Sequence, residues 1–320
     1  MEHWYTPIED DLKKVDAIID GALTSRIPEL QEMCDHVTSL KGKKIRPSIC
    51  VLAHYACGGS QKEEIRRLAS AFELIHVATL IHDDINDRSE IRRGRRTVHK
   101  EYTVPKAVIL GDFMFAMGFG LAGSADKKVI DTIVNASSAM AESEFIQKEF
   151  EHRPAVTEKD YMNIIRGKTA MPIFAGARTG AYLAGADNEI IDAISSFALD
   201  VGLAFQIVDD VLDITGGNAS TGKKVGIDIE EGKPTLPVIY AMSDPNNGKK
   251  IKKIFESEDP TDAELNDVLL LIKRTDALDK CMSKAGDIVK NAIPLLSCLK
   301  DSEYKNSLKG LAEYVVSRDR

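Results

Sequence analysis

Apolar positions along the chain recur at intervals of three and four residues. Two such runs are Ile8, Leu12, Val15, Ile18, Ile19 and Leu23, and Leu68, Phe72, Ile75, Thr79 and Leu80. This period predicts amphipathic helices, whereas the alternation typical of strands is scarce. Glycine and proline breaks, as at Gly58–Gly59, Pro154 and Gly185, leave helical segments of roughly ten to thirty residues between them. The pattern predicts an all-α fold of about ten or more helices, with residues 1–320 in a single domain.

Composition narrows the classes of partner. Of 320 residues, 43% are hydrophobic and 29% are charged, which is typical of a globular protein. A net charge of −8 argues against a nucleic-acid partner, although the basic cluster Arg92–Arg96 can still bind phosphate on a small molecule. No apolar run approaches the ~18 to 20 residues of a membrane span, and the N-terminus lacks the order of a signal peptide. We therefore expect a cytoplasmic protein without a stable membrane anchor.

Two motifs with the pattern Asp-Asp-x-x-Asp each follow an apolar helical run. The first contains Asp83, Asp84 and Asp87, and the second contains Asp209, Asp210 and Asp213. On a helix, the first and last carboxylates of a motif project from one face a single turn apart and can bracket a cation. Because magnesium shares its shell with phosphate oxygens, the two motifs together predict a metal-diphosphate clamp. One motif alone would be better interpreted as a solvated acidic face or helix cap.

Basic residues lie on both sides of the first motif. Lys43 and Arg46 precede it, and Arg92 and Arg93 follow it. Arginine binds phosphate through two parallel hydrogen bonds and lysine as a point charge, so these residues can anchor a diphosphate without metal. The neighbouring residues Lys44, Arg95 and Arg96 are better interpreted as solvated charges.

Further donors are weaker evidence when taken one at a time. His76 lies two turns before Asp83 on the same helix face, where its ring can donate to a phosphate oxygen, although a satisfied core histidine remains the alternative. In the second half of the chain the candidates are Lys168, Thr169, Gln206, Lys223 and Lys233. The order of all these residues along the chain is more informative than any one of them.

That order resembles the trans-prenyltransferase family, also called the polyprenyl synthetases, from end to end. Gly42–Pro47 is similar to the family's Gly-Gly-Lys-Arg-x-Arg-Pro loop, and Leu74–Asp87 to its first aspartate-rich helix. Gly232–Pro237 is similar to an element on the allylic side, and Tyr314–Arg318 to the C-terminal end. The departures are mild, because Lys41, Thr103 and Ser143 stand where glycines are usual and no charged group is lost.

The resemblance implies a helical bundle around a central cavity that condenses isopentenyl diphosphate with dimethylallyl, geranyl or farnesyl diphosphate and releases diphosphate. It implies three Mg²⁺ ions per active site, a homodimer, and a role in isoprenoid biosynthesis. By the same resemblance, Lys43, Arg46, His76 and Arg93 bind isopentenyl diphosphate, and Arg92, Lys168, Thr169, Gln206, Lys223 and Lys233 bind the allylic diphosphate. The six aspartates hold the metal ions.

The implied reaction requires stabilisation of charge more than acid-base chemistry. The allylic diphosphate ionises, the isopentenyl double bond attacks the cation, and a proton is lost, with the departing diphosphate as its acceptor. Lys168 would take up charge on the leaving diphosphate, while the Thr169 hydroxyl and the Gln206 amide oxygen would face the carbocation. No nucleophile-base pair is required, and the sequence shows none.

Three other classes share some of these features. An HD-type phosphohydrolase would use His82 and Asp83 but leaves the second motif unexplained. A class I terpene cyclase carries the first motif but typically has an Asn/Ser/Glu metal motif second. A non-catalytic subunit of a heteromeric synthase would show an eroded second motif, and this one is whole.

Small residues before the first motif indicate a long product. Ala78 and Thr79 lie about one turn before Asp83, where short-chain members of the family tend to place aromatic rings. We expect a product of twenty carbons or longer, with twenty to twenty-five carbons first and a longer quinone-type chain as the alternative. Phe115 and Phe119, four residues apart, are candidates for the tunnel floor, with ordinary core packing as the alternative.

Overall fold

This computed structural model describes residues 3–39, 42–216 and 225–318. These residues contain sixteen α-helices and one short hairpin. The helices are α1 (Glu9–Ala22), α2 (Pro28–Thr38), α3 (Ile45–Ala56), α4 (Lys62–Asn86), α5 (Val98–Glu101), α6 (Val104–Ala122), α7 (Lys127–Phe150), α8 (Glu158–Ile165), α9 (Met171–Leu183), α10 (Asn188–Thr215), α11 (Ile227–Glu230), α12 (Leu236–Met242), α13 (Gly248–Phe255), α14 (Asp262–Lys273), α15 (Ala277–Ala292) and α16 (Glu303–Ser317). The hairpin pairs β1 (Ile91–Arg92) with β2 (Arg95–Arg96). The all-α prediction is confirmed.

Two long helices organise the core and carry the acidic motifs. α10 packs against α9, α15 and α16, and α4 packs against α1, α3 and α6. Side chains such as Phe197 on α10 and Leu68 on α4 are fully buried in these contacts. Burial of the apolar stripe on each helix drives this packing. Each motif therefore stands at the C-terminal end of a helix that the core holds in place.

The helix ends follow local sequence signals. Thr103, one of the departures from the family pattern, caps α6 by accepting a hydrogen bond from the backbone N–H of Lys106 through its side chain. α10 ends at Gly216, whose φ of +79° lies in the left-handed region that glycine adopts without strain. Predicted breaks at Gly58–Gly59, Pro154 and Gly185 fall between helices.

A π-helical turn at Arg166–Ala170 is held closely between α7 and α10. A Cβ at Gly202 of α10 would lie 2.7 Å from Ala170 Cα, and one at Gly167 would lie 1.9 Å from the Ser143 hydroxyl oxygen. Only glycine allows these approaches. Ser143, another departure from the family pattern, thus fills the space beside Gly167. The result places Lys168 and Thr169 between the two helices.

Two helices are longer and more apolar than the sequence analysis recognised. α6 and α10 reach the length of a membrane span, with mean hydropathies of 1.4 and 1.6. The expectation that no apolar run approaches this length is therefore wrong. More than half of the apolar window of α10 is buried in the bundle, as in a core helix, but only 28% of that of α6 is buried. α6 thus leaves apolar side chains exposed, including Val108, Ile109 and Phe119.

Candidate active site

The two acidic motifs line one cleft of about 1200 Å³. Asp87 reaches it from the end of α4, and Asp209 and Asp213 from the end of α10. Lys168 on the π-helical turn and Lys233, between α11 and α12, line the same cleft. The structure thus brings together residues that are more than a hundred positions apart in the sequence.

Asp83 and Asp87 lie at the end of α4 among charged neighbours. Burial raises the pKa of Asp83 to about 6, although the nearby ammonium of Lys168 acts in the opposite direction. Burial also acts to raise the pKa of Asp87, but the ammonium of Lys233 outweighs it and leaves this pKa below its usual value. Lys233 Nζ lies 2.8 Å from Asp87 Oδ2. Nearby ammonium groups therefore favour the charged form of each carboxylate.

Asp84 points away from the other two carboxylates of its motif. It is buried, and Arg92 donates to it from Nε at 2.7 Å with a second nitrogen at 2.7 Å. This bidentate pair holds the β1–β2 hairpin against α4 and places Arg92 in the wall of the cleft. Both oxygens of Asp84 accept from Arg92, and its role as a metal ligand stays a prediction.

In the second motif, too, one aspartate is exposed to the cleft and its neighbour is buried. Asp209 is half exposed and lies 3.4 Å from the guanidinium of Arg318. Asp210 is buried and accepts hydrogen bonds from the Tyr161 hydroxyl at 2.6 Å and from Gln206 Nε2 at 2.7 Å. Each of its oxygens thus has one protein partner, and its role as a metal ligand likewise stays a prediction.

A hydrogen-bonded chain continues from Asp210 to the predicted catalytic residues. Thr169 Oγ1 donates to Gln206 Oε1 at 2.7 Å, while the amide nitrogen of Gln206 donates to Asp210. The predicted pair Thr169 and Gln206 is thus in direct contact. The contact with Asp210 fixes which end of the amide faces Thr169.

The predicted lysines each pair with a carboxylate outside the motifs. Lys168 Nζ forms an ion pair with Glu144 of α7, and Lys233 Nζ lies 2.7 Å from Glu231 as well as close to Asp87. Burial lowers the pKa of both ammonium groups, but the surrounding carboxylates outweigh it and raise both pKa values. The lysines are therefore charged and held at the cleft.

A second basic set lies beside the first motif. Burial lowers the pKa of Arg46 to about 10 and, with Arg46 and Arg93 nearby, keeps the pKa of His76 well below its usual value. Among the described residues, Arg46 Nε is buried without a hydrogen-bond partner. A Cβ at Gly42 would lie 2.8 Å from the Arg93 guanidinium, so the arginine side chain packs directly against this loop. The Glu73 carboxylate opposes part of the positive charge of Arg46 and Arg93, and an anion would compensate the remainder.

Lys43 lies near the C-terminal helix, with its ammonium 5.6 Å from the centre of the Tyr314 ring on α16. The three charges interpreted as solvated have other partners. Lys44 pairs with Asp16, Arg95 donates to Ser39, and Arg96 pairs with Glu101. Lys223, predicted to bind the allylic diphosphate, lies outside the described residues.

The acidic residues fit a metal that shares its ligands with substrate. In the part of the chain that the structure describes, no group of three or more His, Cys, Asp or Glu side chains could hold an ion unaided. Asp87, Asp209 and Asp213 offer hard oxygen donors to one cleft, and Asp83 lies beside them. Magnesium suits such a site, because it usually binds one or two carboxylates together with phosphate oxygens and water.

A small apolar cavity lies along α4 below the first motif. Phe72, Ile75 and His76 line it from α4, and Ile133 and Met140 line it from α7. Thr79 lies on the same face of α4, between this cavity and Asp83, with its hydroxyl bonded to the backbone oxygen of His76. Arg46 also lines this cavity, whose volume of about 10 Å³ is that of a single water molecule.

The other predicted chain-length residues do not line this cavity. Phe119 is 37% exposed on α6 and does not line this cavity, so its role in closing a tunnel stays a prediction. Phe115 is half-buried, with its ring 5.8 Å from that of His82. Ala78 is fully buried, and its spacing from Ile75 and His82 puts it on the face of α4 that packs against α6.

Comparison with known proteins decides the family. Residues 27–272 match the family model for polyprenyl synthetase. The chain belongs to the polyprenyl synthetase family. Like the other members of this family, the prenyltransferase condenses isopentenyl diphosphate with an allylic diphosphate to give an all-trans prenyl diphosphate.

Individual relatives cover the whole prenyltransferase. An all-trans-nonaprenyl-diphosphate synthase (geranyl-diphosphate specific) from Rhodobacter capsulatus is 33% identical, covering 98% of this chain and 96% of its own. A heptaprenyl diphosphate synthase component 2 from Geobacillus stearothermophilus is 34% identical, covering 100% and 99%. A crystal structure of polyprenyl synthase from Caulobacter crescentus complexed with calcium and isoprenyl diphosphate superposes with a TM-score of 0.94 at 32% identity, covering 99% and 97%.

Proposed function

We propose that this prenyltransferase makes a prenyl diphosphate of twenty carbons or longer, using Mg²⁺ as its metal. The proposal is carried by one observation: a cleft joins both acidic motifs to Lys168 and Lys233, and a separate small cavity with apolar side chains in its wall lies farther along α4. The two relatives described above are named for nine- and seven-isoprene products. A long product is consistent with both.

Asp83, Asp87, Asp209 and Asp213 are the residues proposed to hold the metal. When bound, Mg²⁺ would stabilise negative charge on the leaving diphosphate. Lys168 and Lys233, already charged at the cleft, would contact the same diphosphate. Asp84 and Asp210 would position Arg92 and Gln206. We keep three Mg²⁺ ions per active site as part of the proposal.

Lys43, Arg46, His76 and Arg93 are proposed to bind isopentenyl diphosphate. Burial of Arg46 with an unpartnered Nε, and a His76 ring that is neutral in the absence of an anion, support this assignment. Neutral His76 can donate one hydrogen bond without adding a third adjacent positive charge. A dedicated site keeps the second diphosphate apart from the one that leaves.

Thr169 and Gln206 are proposed to face the carbocation. The Thr169 hydroxyl donates a hydrogen bond to the Gln206 oxygen, so lone pairs of both oxygens remain available, and neither group is a strongly basic nucleophile. Because the contact partners are fixed, little reorganisation is needed when positive charge develops. The departing diphosphate remains the proposed acceptor of the proton.

Phe72 replaces Phe119 as the proposed tunnel floor. It lies eleven residues before Asp83, which is ~16 Å along a helix at ~1.5 Å per residue, or about three turns. An isoprene unit is comparable in length to one turn, so a tail of about three units fits above Phe72. An allylic substrate of fifteen carbons would be extended once more, giving a twenty-carbon product.

We further propose that the prenyltransferase is a cytoplasmic homodimer. The exposed apolar side chains on α6 and α7 support a protein interface; they are Val108, Ile109, Phe119, Val134, Phe145 and Ile146. Contiguous exposed apolar patches on soluble proteins commonly mark contacts between subunits. One relative is named as component 2 of a heptaprenyl diphosphate synthase, so a complex with a different chain is the alternative to the homodimer.

The test is incubation of the purified protein with Mg²⁺, isopentenyl diphosphate and geranyl diphosphate, followed by chromatography of the products. We expect products of twenty carbons or longer. Release of inorganic phosphate without condensation, or condensation only after a second chain is added, would contradict the proposal.

A further inference from the structure

Gln147 lies in the wall of the cleft, on the face of α7 that carries Glu144. Its side chain is only 8% exposed. Among the described residues, its amide nitrogen Nε2 has no hydrogen-bond partner. A buried donor without a partner costs folding free energy, so an unpaired amide in a binding cleft calls for a ligand that accepts its hydrogen bond.

The neighbours of Gln147 indicate the chemistry of that ligand. One turn earlier, Glu144 pairs with Lys168, and in the next position Lys148 Nζ lies 3.7 Å from Asp87 Oδ1. Gln147 therefore shares the cleft wall with two lysines, and the ammonium groups of these lysines pair with Glu144, Glu151 and Asp87. An anion with several acceptor oxygens can contact both cations and the amide, as a diphosphate does.

We propose that Gln147 is a further binding residue for the allylic diphosphate, with its amide N–H group donating a hydrogen bond to a diphosphate oxygen. The proposal rests on the proposed function and adds a neutral donor to a site of lysines. A neutral amide orients the diphosphate without adding charge, and its place between Lys168 and Asp87 would fix the diphosphate against both sides of the cleft.

The experiment uses geranyl thiolodiphosphate, an unreactive analogue, with excess MgCl₂ in isothermal titration calorimetry. Gln147→Leu should bind it about tenfold more weakly than the wild type, which is ~1.4 kcal/mol. The KM for isopentenyl diphosphate should stay within about twofold. Without ligand, Gln147→Leu should melt at the same or a higher temperature, since it removes an unpaired buried polar group.

The matched control is Gln31→Leu on α2, where the amide already donates to Asp35. It should leave binding of the analogue unchanged. If Gln147→Leu does not fold, Gln147→Met, which is unbranched and of similar length, serves for the same measurement.

A folded Gln147 variant that binds the analogue as tightly as the wild type would overturn the proposal, whatever its melting temperature. Weak binding of the analogue and of isopentenyl diphosphate to the same degree would also overturn it, because the effect would then be structural. Failure of the wild type to bind the analogue would instead contradict the proposed function.

Discussion

Replacing Phe72 with alanine should lengthen the product by one isoprene unit. Phe72 borders the apolar cavity and is 4% exposed. The next large side chain on the same face of α4 is Leu68, four residues earlier and fully buried. The distance between the two is ~6 Å at ~1.5 Å per residue, which is about one helical turn and about one isoprene unit. A twenty-carbon product should therefore become a twenty-five-carbon product.

The assay is product analysis after incubation with labelled isopentenyl diphosphate and farnesyl diphosphate, removal of phosphate, and reversed-phase chromatography. Loss of a buried phenylalanine costs ~3–5 kcal/mol of stability in other proteins, so Phe72→Leu serves as a milder second variant. Phe115→Ala is the matched control, because it removes the same side chain from α6 near His82.

The reasoning fails if Phe72→Ala folds and keeps the wild-type distribution of products. A shift in Phe115→Ala without one in Phe72→Ala would return the floor to the position first predicted. With geranyl diphosphate as the allylic substrate instead, a wild-type product that is mainly farnesyl diphosphate would refute the open path past Thr79.

Three other predictions concern the charges and the assembly. Asp83→Ala or Asp209→Ala should lower kcat by orders of magnitude, because these carboxylates act on transition-state charge, while circular dichroism stays unchanged; near-normal kcat in either variant would defeat the metal assignment. Lys43→Ala or Arg46→Ala should chiefly raise the KM for isopentenyl diphosphate, and Lys233→Ala that for the allylic substrate; equal effects on both substrates in steady-state assays would remove the distinction between the sites. The wild type should have a dimer mass in light scattering at micromolar concentration, and Ile109→Asp on the exposed face of α6 should shift it toward the monomer; a monomeric wild type would exclude the homodimer.

The helices and the two ends that carry the motifs were predictable because they depend on local signals. The period of the apolar residues, the glycine breaks and the repeated acidic pattern can each be recognised within a short stretch of sequence. The apolar helical run before the first motif also predicted that Asp83 and Asp87 stand at the end of a helix. These signals need no knowledge of what packs against the helix.

The different hydrogen-bond partners of the aspartates within each motif were not predictable in this way. Asp84 and Asp210 match the pattern as well as their neighbours do, and only the positions of Arg92 and Tyr161 show that their oxygens are occupied. Glu144 and Glu231, which hold the cleft lysines, were missed for the same reason. For Glu231 a signal existed, since it stands two residues before Lys233.

The exposure of Phe119 was unpredictable for a different reason. A four-residue spacing correctly places Phe115 and Phe119 on one side of a helix, but periodicity alone does not say which side faces the core. On α6 nearly the whole surface is apolar, so the sequence contrast that usually marks the buried side is weak.

The chain of hydrogen bonds from Tyr161 through Asp210 and Gln206 to Thr169 has a directional consequence. An amide is a dipole, and because Asp210 accepts from its nitrogen, the oxygen is turned toward Thr169. With asparagine at position 210, an amide could pair with Gln206 in either orientation, and the positive end of the dipole could then face the reacting carbon. A single isosteric change would thus allow the local polarity to reverse without removing any heavy atom from the cleft wall. The two adjacent aspartates of the second motif act in different ways: Asp209 is proposed to hold the metal cation, and Asp210 sets the orientation of the amide that is proposed to face the carbocation.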